Sequence, residues 1–277
     1  MPHILVVANE TVGGGKLLRL VRARARTPNT TFTLIVPMTR PRSGLVIYDE
    51  AVRDSAQVRI DLALSYLKGV GISASGEVGD PDPYQAVMDA IPEYRPDEIV
   101  VSTLPATSSG WLRRDLIERI QDGTGLPVTH VVTDLDSEGL PFHVTLVVAN
   151  QTATDEALLK RMKELADQNK DQLFVVVVPQ SDGDGRAAAA ARARLGNALD
   201  QMRRAGLLVA GMIGDPDPFT ATMNALQFYR VDSVIISTLP STRSGWLRAD
   251  LIDRLRKSAY GVEVEHVVAE REAAKAS

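Results

Sequence analysis

The chain has 277 residues, 44% of them hydrophobic and 24% charged, which is ordinary for a globular protein long enough to hold two domains. Its formal net charge of −4 excludes a broad electrostatic attraction for nucleic acid or for an anionic membrane surface. Cysteine is absent, which excludes disulfides, thiolate catalysis and cysteine-ligated metals.

The segment "PHILVVANE" after Met1 is typical of a buried strand rather than of a secretory signal. No apolar run approaches the roughly 18 residues that span a bilayer. We therefore expect a cytoplasmic protein that binds neither nucleic acid nor membrane.

The first half alternates apolar runs with helical patterns. The runs are rich in Val, Ile and Thr and mostly apolar on both faces, as in a covered parallel sheet. The predicted strands are "HILVVA", "TFTLIV", "ISASGEV", "EIVVST" and "PVTHVV". The predicted helices lie near 16–25, 51–68, 83–94 and 111–121. With right-handed crossovers, this order predicts an α/β domain: a Rossmann-like, doubly wound sheet of five parallel strands with helices on both faces.

The second half repeats the first. Three segments recur in the same order: "LVVAN" from Leu5 and Leu146, "GDPDP" from Gly79 and Gly214, and "STLP" from Ser102 and Ser237. A period this long indicates duplication of a whole domain, because solenoid units run roughly 20–50 residues. We predict tandem domains at 1–136 and 140–270, joined by the polar linker "TDLDSEGLP". A C-terminal tail at 271–277 is expected to be partly helical or frayed.

Candidate ligand-binding residues cluster in the loops after the first, second and fourth strands of the first half and after the first and fourth strands of the second half. In doubly wound sheets, ligands bind beyond the carboxyl ends of the strands, where the strand order reverses. The first-half candidates are Asn9, Thr11, Lys16, Arg40, Arg42, Ser102, Thr103, Trp111 and Arg113. The second-half candidates are Asn150, Thr152, Ser237, Thr238, Arg243, Trp246 and Arg248. The first half has more cationic side chains at this edge, which favours it if the ligand is an anion.

Two pairs of segments resemble universal stress proteins: "GDPDPYQAVMDAIPEYRPDEIVVST" with "LPVTHVV", and "GDPDPFTATMNALQFYRVDSVIIST" with "VEVEHVV". The resemblance covers both halves in element order and so implies a tandem, stress-related member of that family. It also implies the strand order 3-2-1-4-5, with the final strands near each other in an intrachain pseudo-dimer. A homodimer stays open.

The nucleotide signature of the family is replaced in this chain. ATP-binding members carry Gly-x2-Gly-x9-Gly-Ser/Thr after the fourth strand, where backbone amides hold the phosphates. The residues at those four positions are Ser102, Pro105, Asp115 and Leu116, and in the copy Ser237, Pro240, Asp250 and Leu251. Proline has no N–H, and an Asp carboxylate repels phosphate. The Asp that ends the first strand of ATP-binding members is also replaced, by Asn9 and Asn150. We therefore expect no cofactor, and poor binding of Mg-ATP.

Local sequence chemistry explains several features without a ligand. Asp82 and Asp217 are expected to cap the third helices, with proline at the first helical position. Ser109 and Ser244 are expected to cap the fourth helices. Arg113 and Arg248 either pair with Asp115 and Asp250 or bind an anion. "TVGGGK" lacks the second part of a P-loop, which favours a flexible turn. No histidines have metal-ligand spacing, so we expect no metal site.

Two functions follow from these patterns. The first is a binding protein with a small anionic or nucleotide-like ligand at the strand edge. The alternative is a protein–protein interaction or dimerisation module with no small-molecule ligand. A nucleophile elbow, an HExxH helix and a clustered acid–base set are all missing, so an enzyme is not expected. The loop with Trp111 and Trp246 is expected to act first as a structural clasp, each ring covering a strand–helix junction.

Overall fold

The structure is a computed structural model and describes residues 1–39, 49–105, 111, 115–180, 185–240, 246 and 250–270. The described residues divide into two compact units: residues up to Pro141 form the first and residues from Phe142 onward form the second, except that 49–51 group with the second. Within the described ranges, no helix has both the length and the apolar character that crossing a bilayer requires.

The first unit is a five-stranded parallel sheet with helices. Its strands are β1 (His3–Val7), β2 (Thr31–Pro37), β3 (Ala74–Gly79), β4 (Glu98–Thr103) and β5 (Val128–Val132). Its helices are α1 (Gly15–Arg24), α2 (Asp49–Gly69), α3 (Pro83–Tyr94), α4 (Leu116–Thr124) and α5 (Leu135–Glu138). The strand order is β3-β2-β1-β4-β5, so β1 lies at the centre between β2 and β4.

The second unit repeats this architecture. Its strands are β6 (His143–Val148), β7 (Gln172–Pro179), β8 (Leu208–Gly214), β9 (Ser233–Thr238) and β10 (Glu263–Val268). Its helices are α6 (Glu156–Gln168), α7 (Gly185–Arg204), α8 (Pro218–Phe228) and α9 (Leu251–Ser258). The order β8-β7-β6-β9-β10 is again 3-2-1-4-5. The predicted α/β fold class and strand order are confirmed in both units.

The repeated "GDPDP" segment joins the third strand of each unit to its third helix. A Cβ atom at Gly79 would lie 2.7 Å from Ile35 Cγ2 and 2.8 Å from Ala86 Cβ, so strand and helix approach closely only with glycine there. The Asp82 carboxylate accepts hydrogen bonds from the backbone nitrogens of Tyr84 (2.8 Å) and Gln85 (3.4 Å). The predicted N-cap is confirmed there, and Asp217 caps α8 in the same way.

The fourth helix begins later than predicted. The sequence pattern placed its start at Trp111, but α4 begins at Leu116 because Asp115 adopts the left-handed conformation with φ 48°. Asp250 has φ 49° directly before α9. The predicted caps Ser109 and Ser244 and the tail at 271–277 lie outside the described residues.

The segment predicted as a linker folds onto the first unit. Thr133 is fully buried, and its backbone nitrogen donates to the Thr103 carbonyl at 2.9 Å. Asp134 caps α5 by accepting from the backbone nitrogens of Asp136 and Ser137, and Leu135 is buried. Thr133 and α5 thereby bring side chains to the carboxyl edge of the first sheet.

Candidate functional site

The candidate site of each unit lies at the carboxyl end of its central strand, where the strand order reverses between the first and fourth strands. In the first unit the Thr11 hydroxyl donates to the Ser102 carbonyl at 3.0 Å. In the second unit the Thr152 hydroxyl donates to the Ser237 carbonyl at 2.9 Å. These bonds hold the loop after the first strand against the end of the fourth. Both threonines are buried, which indicates a positioning role.

A threonine hydroxyl also meets a histidine ring at this edge. Thr103 Oγ1 lies 2.9 Å from His130 Nε2, and Thr238 Oγ1 lies 2.8 Å from His266 Nε2. The Thr238 hydroxyl also donates to the Leu239 carbonyl at 2.9 Å, so His266 must supply the proton of the bond between them. Burial lowers the pKa of His130 and of His266. A neutral imidazole that donates to the hydroxyl cannot act as its base.

The polar side chains of the first unit pair with one another. Asn9 Oδ1 accepts a hydrogen bond from Arg59 Nη1 at 2.9 Å, and both residues are buried. Ser102 Oγ lies 3.2 Å from Thr133 Oγ1. The Thr39 hydroxyl, after β2, is buried without a partner in the described part of the chain. Two predicted candidates, Asn9 and Ser102, are thus hydrogen-bonded by Arg59 and Thr133, which were not predicted as site residues.

The equivalent polar atoms of the second unit are not satisfied. Asn150 Oδ1 and Ser237 Oγ are buried and have no hydrogen-bond partner among the described residues. The cause at Ser237 is a sequence difference, because Ala269 stands where the first unit has Thr133. The backbone establishes this equivalence: the Ala269 nitrogen donates to the Thr238 carbonyl at 2.8 Å, as Thr133 does to Thr103. Alanine has no hydroxyl to offer.

Each unit also has an arginine at the same position of its second long helix, Arg59 in α2 and Arg194 in α7. Arg59 lies 12 residues before Gly71, and Arg194 lies 12 residues before Gly206, where the chain turns after α2 and α7. Arg194 Nε is buried and has no hydrogen-bond partner in the described chain. Neither arginine was predicted as a site residue. The available signal was a cation at the same position of both copies, between two apolar residues in each helix.

Lys16 is held by a carboxylate of the first unit. Its Nζ lies 2.8 Å from Glu138 Oε1, and Arg19 lies 3.8 Å from the same carboxylate. The hydrogen bond from Lys16 lowers the pKa of Glu138 against the opposing effect of burial. Lys16 therefore has a charge partner at this edge without a ligand.

The tryptophans are half-buried, and Trp111 packs against the core of the first unit. Asp115 and Asp250, at the third position of the degenerate nucleotide motif, are exposed. Five candidate cations, Arg40, Arg42, Arg113, Arg243 and Arg248, lie outside the described residues. Among the residues that are described, no three metal-ligating side chains group together.

No family model matches the sequence, and no curated protein matches it. Among solved structures, the chain is similar to a universal stress protein from Archaeoglobus fulgidus at 15% identity and a TM-score of 0.36, covering 98% of this chain and 97% of that one. It is also similar to a universal stress protein family protein from Arabidopsis thaliana with AMP bound, at 13% identity and a TM-score of 0.33, covering 50% and 95%.

A third similar structure is a functionally unknown protein from Pseudomonas aeruginosa, at 16% identity and a TM-score of 0.31, covering 97% of this chain and 92% of that one. The sheet topology described above defines the fold by itself, as two tandem five-stranded α/β units. The two tandem units have the fold that the sequence resemblance implies.

Proposed function

We propose that this chain is a stress-related binding protein of the universal-stress-protein type that holds a small anionic or nucleotide-like ligand at the carboxyl edge of its strands. The observation that carries the proposal is the pair of unpartnered buried atoms, Asn150 Oδ1 and Ser237 Oγ. Buried polar atoms in proteins are nearly always hydrogen-bonded, and an unpaired one costs about 1–3 kcal/mol. A ligand with complementary polar atoms would recover that cost.

The same geometry argues against the family's usual ATP site. Pro105 and Pro240 have no N–H to offer a phosphate. Asp115 and Asp250 place exposed carboxylates at the next motif position. Mg-ATP is expected to bind poorly, and glycine at positions 105 and 115 together is expected to improve its affinity. Calorimetry of the parent with millimolar Mg-ATP checks the first expectation, and micromolar affinity would contradict it.

A binding role fits the side chains better than catalysis does. Among the described residues, the two Thr–His contacts are the only hydroxyl–imidazole pairs at this edge. Both threonines are buried. A nucleophile needs access to substrate as well as a base. The described ranges also lack a group of three metal-ligating side chains.

A thermal-shift screen of the full chain against phosphate, sulfate, nucleotides and sugar phosphates tests the proposed function. A ligand that binds only the folded state at about 100 times its Kd adds about 2.7 kcal/mol to stability, which raises the Tm. The double variant Asn150→Ala/Ser237→Ala should lose that shift and keep its own unfolding transition. A screen in which no compound raises the Tm of the parent at millimolar concentration would refute a ligand-binding function.

The second candidate is a protein–protein interaction or dimerisation module. The observation that favours it is the outer edge of β5 and β10, the terminal strands of the two sheets. Val132 is 40% exposed and Val268 is 44% exposed at equivalent positions of these strands. Edge strands present unpaired backbone groups to other chains. A homodimer formed through these strands belongs to this proposal.

Light scattering of the parent and of Val132→Lys and Val268→Lys tests the module. A dimer in the parent that dissociates in either variant would favour it. A monomeric parent at micromolar concentration would exclude homodimerisation through these strands.

A further inference from the structure

We propose that the second unit holds a protonated phosphate group, inorganic or esterified, between Arg194, Asn150 and Ser237, and that the equivalent position of the first unit is closed. This inference rests on the proposed function and names the chemical class of its ligand and the unit that binds it.

The first unit shows how the position is closed. The Arg59 guanidinium donates a hydrogen bond to Asn9 Oδ1 at 2.9 Å, although the two residues are 50 positions apart in sequence. The Ser102 hydroxyl is taken by Thr133 at 3.2 Å. Arg59, Asn9, Ser102 and Thr133 are all buried. A ligand would have to break these contacts to bind there.

The second unit keeps three of these four side chains and leaves their polar atoms free. Arg194 Nε, Asn150 Oδ1 and Ser237 Oγ are each buried without a hydrogen-bond partner in the described chain. Ser237 is 1% exposed, so water cannot easily satisfy its hydroxyl from the bulk. The fourth side chain is lost, because Ala269 replaces Thr133.

Two observations indicate that Arg194 lies at the same edge of the second sheet as Asn150 and Ser237. Side chains on a helix lean towards its N-terminus, and the N-terminus of α7 follows the carboxyl end of β7. Gln201, two turns further along the same face of α7, donates to the Thr154 carbonyl at 3.3 Å, in the loop that follows β6. This face of α7 therefore lies against the loop that begins at Asn150.

The loop after β6 also carries a carboxylate, Asp155, and one of its oxygens is occupied. Asp155 Oδ1 accepts hydrogen bonds from the backbone nitrogens of Ala157 (3.0 Å) and Glu270 (3.3 Å). Its charge therefore caps α6 at the helix terminus that favours an anion. Arg194 supplies the opposite charge for a ligand.

The three free atoms specify the ligand chemistry. A guanidinium N–H needs an anionic or carbonyl oxygen, and a serine hydroxyl can donate to a second oxygen. Asn150 Oδ1 only accepts and so needs a hydrogen-bond donor, which an oxyanion can supply only through an O–H group. Hydrogen phosphate and protonated phosphate monoesters carry anionic oxygens and an O–H, whereas sulfate at neutral pH carries no O–H. We therefore expect phosphate to bind more tightly than sulfate.

Isothermal titration calorimetry of the full chain with inorganic phosphate, sulfate, ribose 5-phosphate and AMP tests the inference. Arg194→Gln should weaken phosphate binding at least roughly tenfold, because a hydrogen bond to a charged group is lost. Ser237→Ala should weaken it roughly two- to tenfold and leave urea unfolding unchanged, because its hydroxyl has no protein partner. The matched control Arg59→Gln should bind phosphate within about twofold of the parent. The esters distinguish a free phosphate ligand from an esterified one.

Several outcomes would contradict the phosphate site alone or together with the proposed function. Unchanged phosphate affinity in Arg194→Gln, equal loss in Arg59→Gln, or sulfate binding as tight as phosphate would overturn the site. If the parent binds another anion in the thermal-shift screen while phosphate and its esters give no heat, this inference fails and the proposed function stands. If the parent binds nothing in either experiment, both fail.

Discussion

Gly14 and Thr133 occupy adjoining space at the carboxyl edge of the first sheet, such that a Cβ atom at Gly14 would overlap Thr133 Cγ2. The glycine is required by this packing, since its φ of −66° is open to any residue. The second unit reverses the sizes, with Asp155 and Ala269 at the equivalent positions. Of these two residues, Ala269 is the one that deprives Ser237 of a hydroxyl partner.

We expect Gly14→Ala to lower the free energy of unfolding by about 1–3 kcal/mol, the usual cost of overpacking. Threonine is stiff at χ1 and cannot swing away. In the double variant Gly14→Ala/Thr133→Ala the overlap with Thr133 Cγ2 is gone and the close approach to the Thr11 carbonyl oxygen stays, so the cost should fall below the sum of the two single changes. Urea unfolding of all four proteins gives this coupling. Simple additivity would mean that Thr133 does not restrict position 14.

Asp115→Gly is expected to raise the thermal unfolding midpoint. Asp115 has φ 48°, and a left-handed residue with a Cβ costs roughly 1–2 kcal/mol, less for Asp than for most residues. A gain of up to about 1 kcal/mol should follow. Asp115→Ala keeps the Cβ and serves as the control, with no gain expected. Equal effects of glycine and alanine would place the cause in the lost carboxylate.

Trp111→Ala is expected to cost roughly 1–3 kcal/mol, less than the 3–5 of a fully buried aromatic, because the ring is half-buried against the core. Trp111→Phe should restore part of this stability. Urea unfolding checks both variants and Trp246→Ala. A loss below about 1 kcal/mol for both alanine variants, as at an ordinary surface position, would refute the structural clasp.

The ion pair of Arg24 and Glu98 should make stability depend on acidic pH. Arg24 Nε and Nη2 donate to the carboxylate at 3.0 and 2.9 Å. The hydrogen bond from Arg24, helped by Thr129, lowers the pKa of Glu98 against burial. A carboxyl group whose pKa is lower in the folded chain than in the unfolded chain stabilises the fold at pH values above its ordinary pKa of 4.5. That contribution is lost as the pH falls through the lowered pKa of the folded state.

The stability difference between the parent and Glu98→Gln should therefore shrink as pH falls below 4.5. The pair is partly exposed, so we expect a difference of about 0.2–1 kcal/mol near neutrality. Urea midpoints measured from neutral to acidic pH give the difference directly. A constant difference across the series would show that Glu98 titrates alike in the folded and unfolded chain.

The sequence by itself determined the features that depend on neighbours along the chain. Apolar runs located the strands, and their alternation with helical patterns predicted a doubly wound parallel sheet in each half. The family resemblance implied the strand order that both sheets show. Asp82 and Asp217, each followed by proline, predicted helix starts because a cap bonds backbone nitrogens only two or three residues away. Asp115 defeated the same approach, since Asp adopts the left-handed conformation too seldom for its residue type to predict it at this position.

Only the tertiary structure decided which polar side chains are satisfied. Arg24 pairs with Glu98 on β4, whereas Arg161 in the first helix of the second unit pairs with Glu265 on β10, a different strand of its sheet. Asn9 Oδ1 accepts a hydrogen bond from Arg59, whereas Asn150 Oδ1 has no such bond among the described residues, although both units have Asn and Arg at these positions. A hydrogen bond depends on tenths of an ångström between segments that are distant in sequence, and that distance is set by packing rather than by the residues alone.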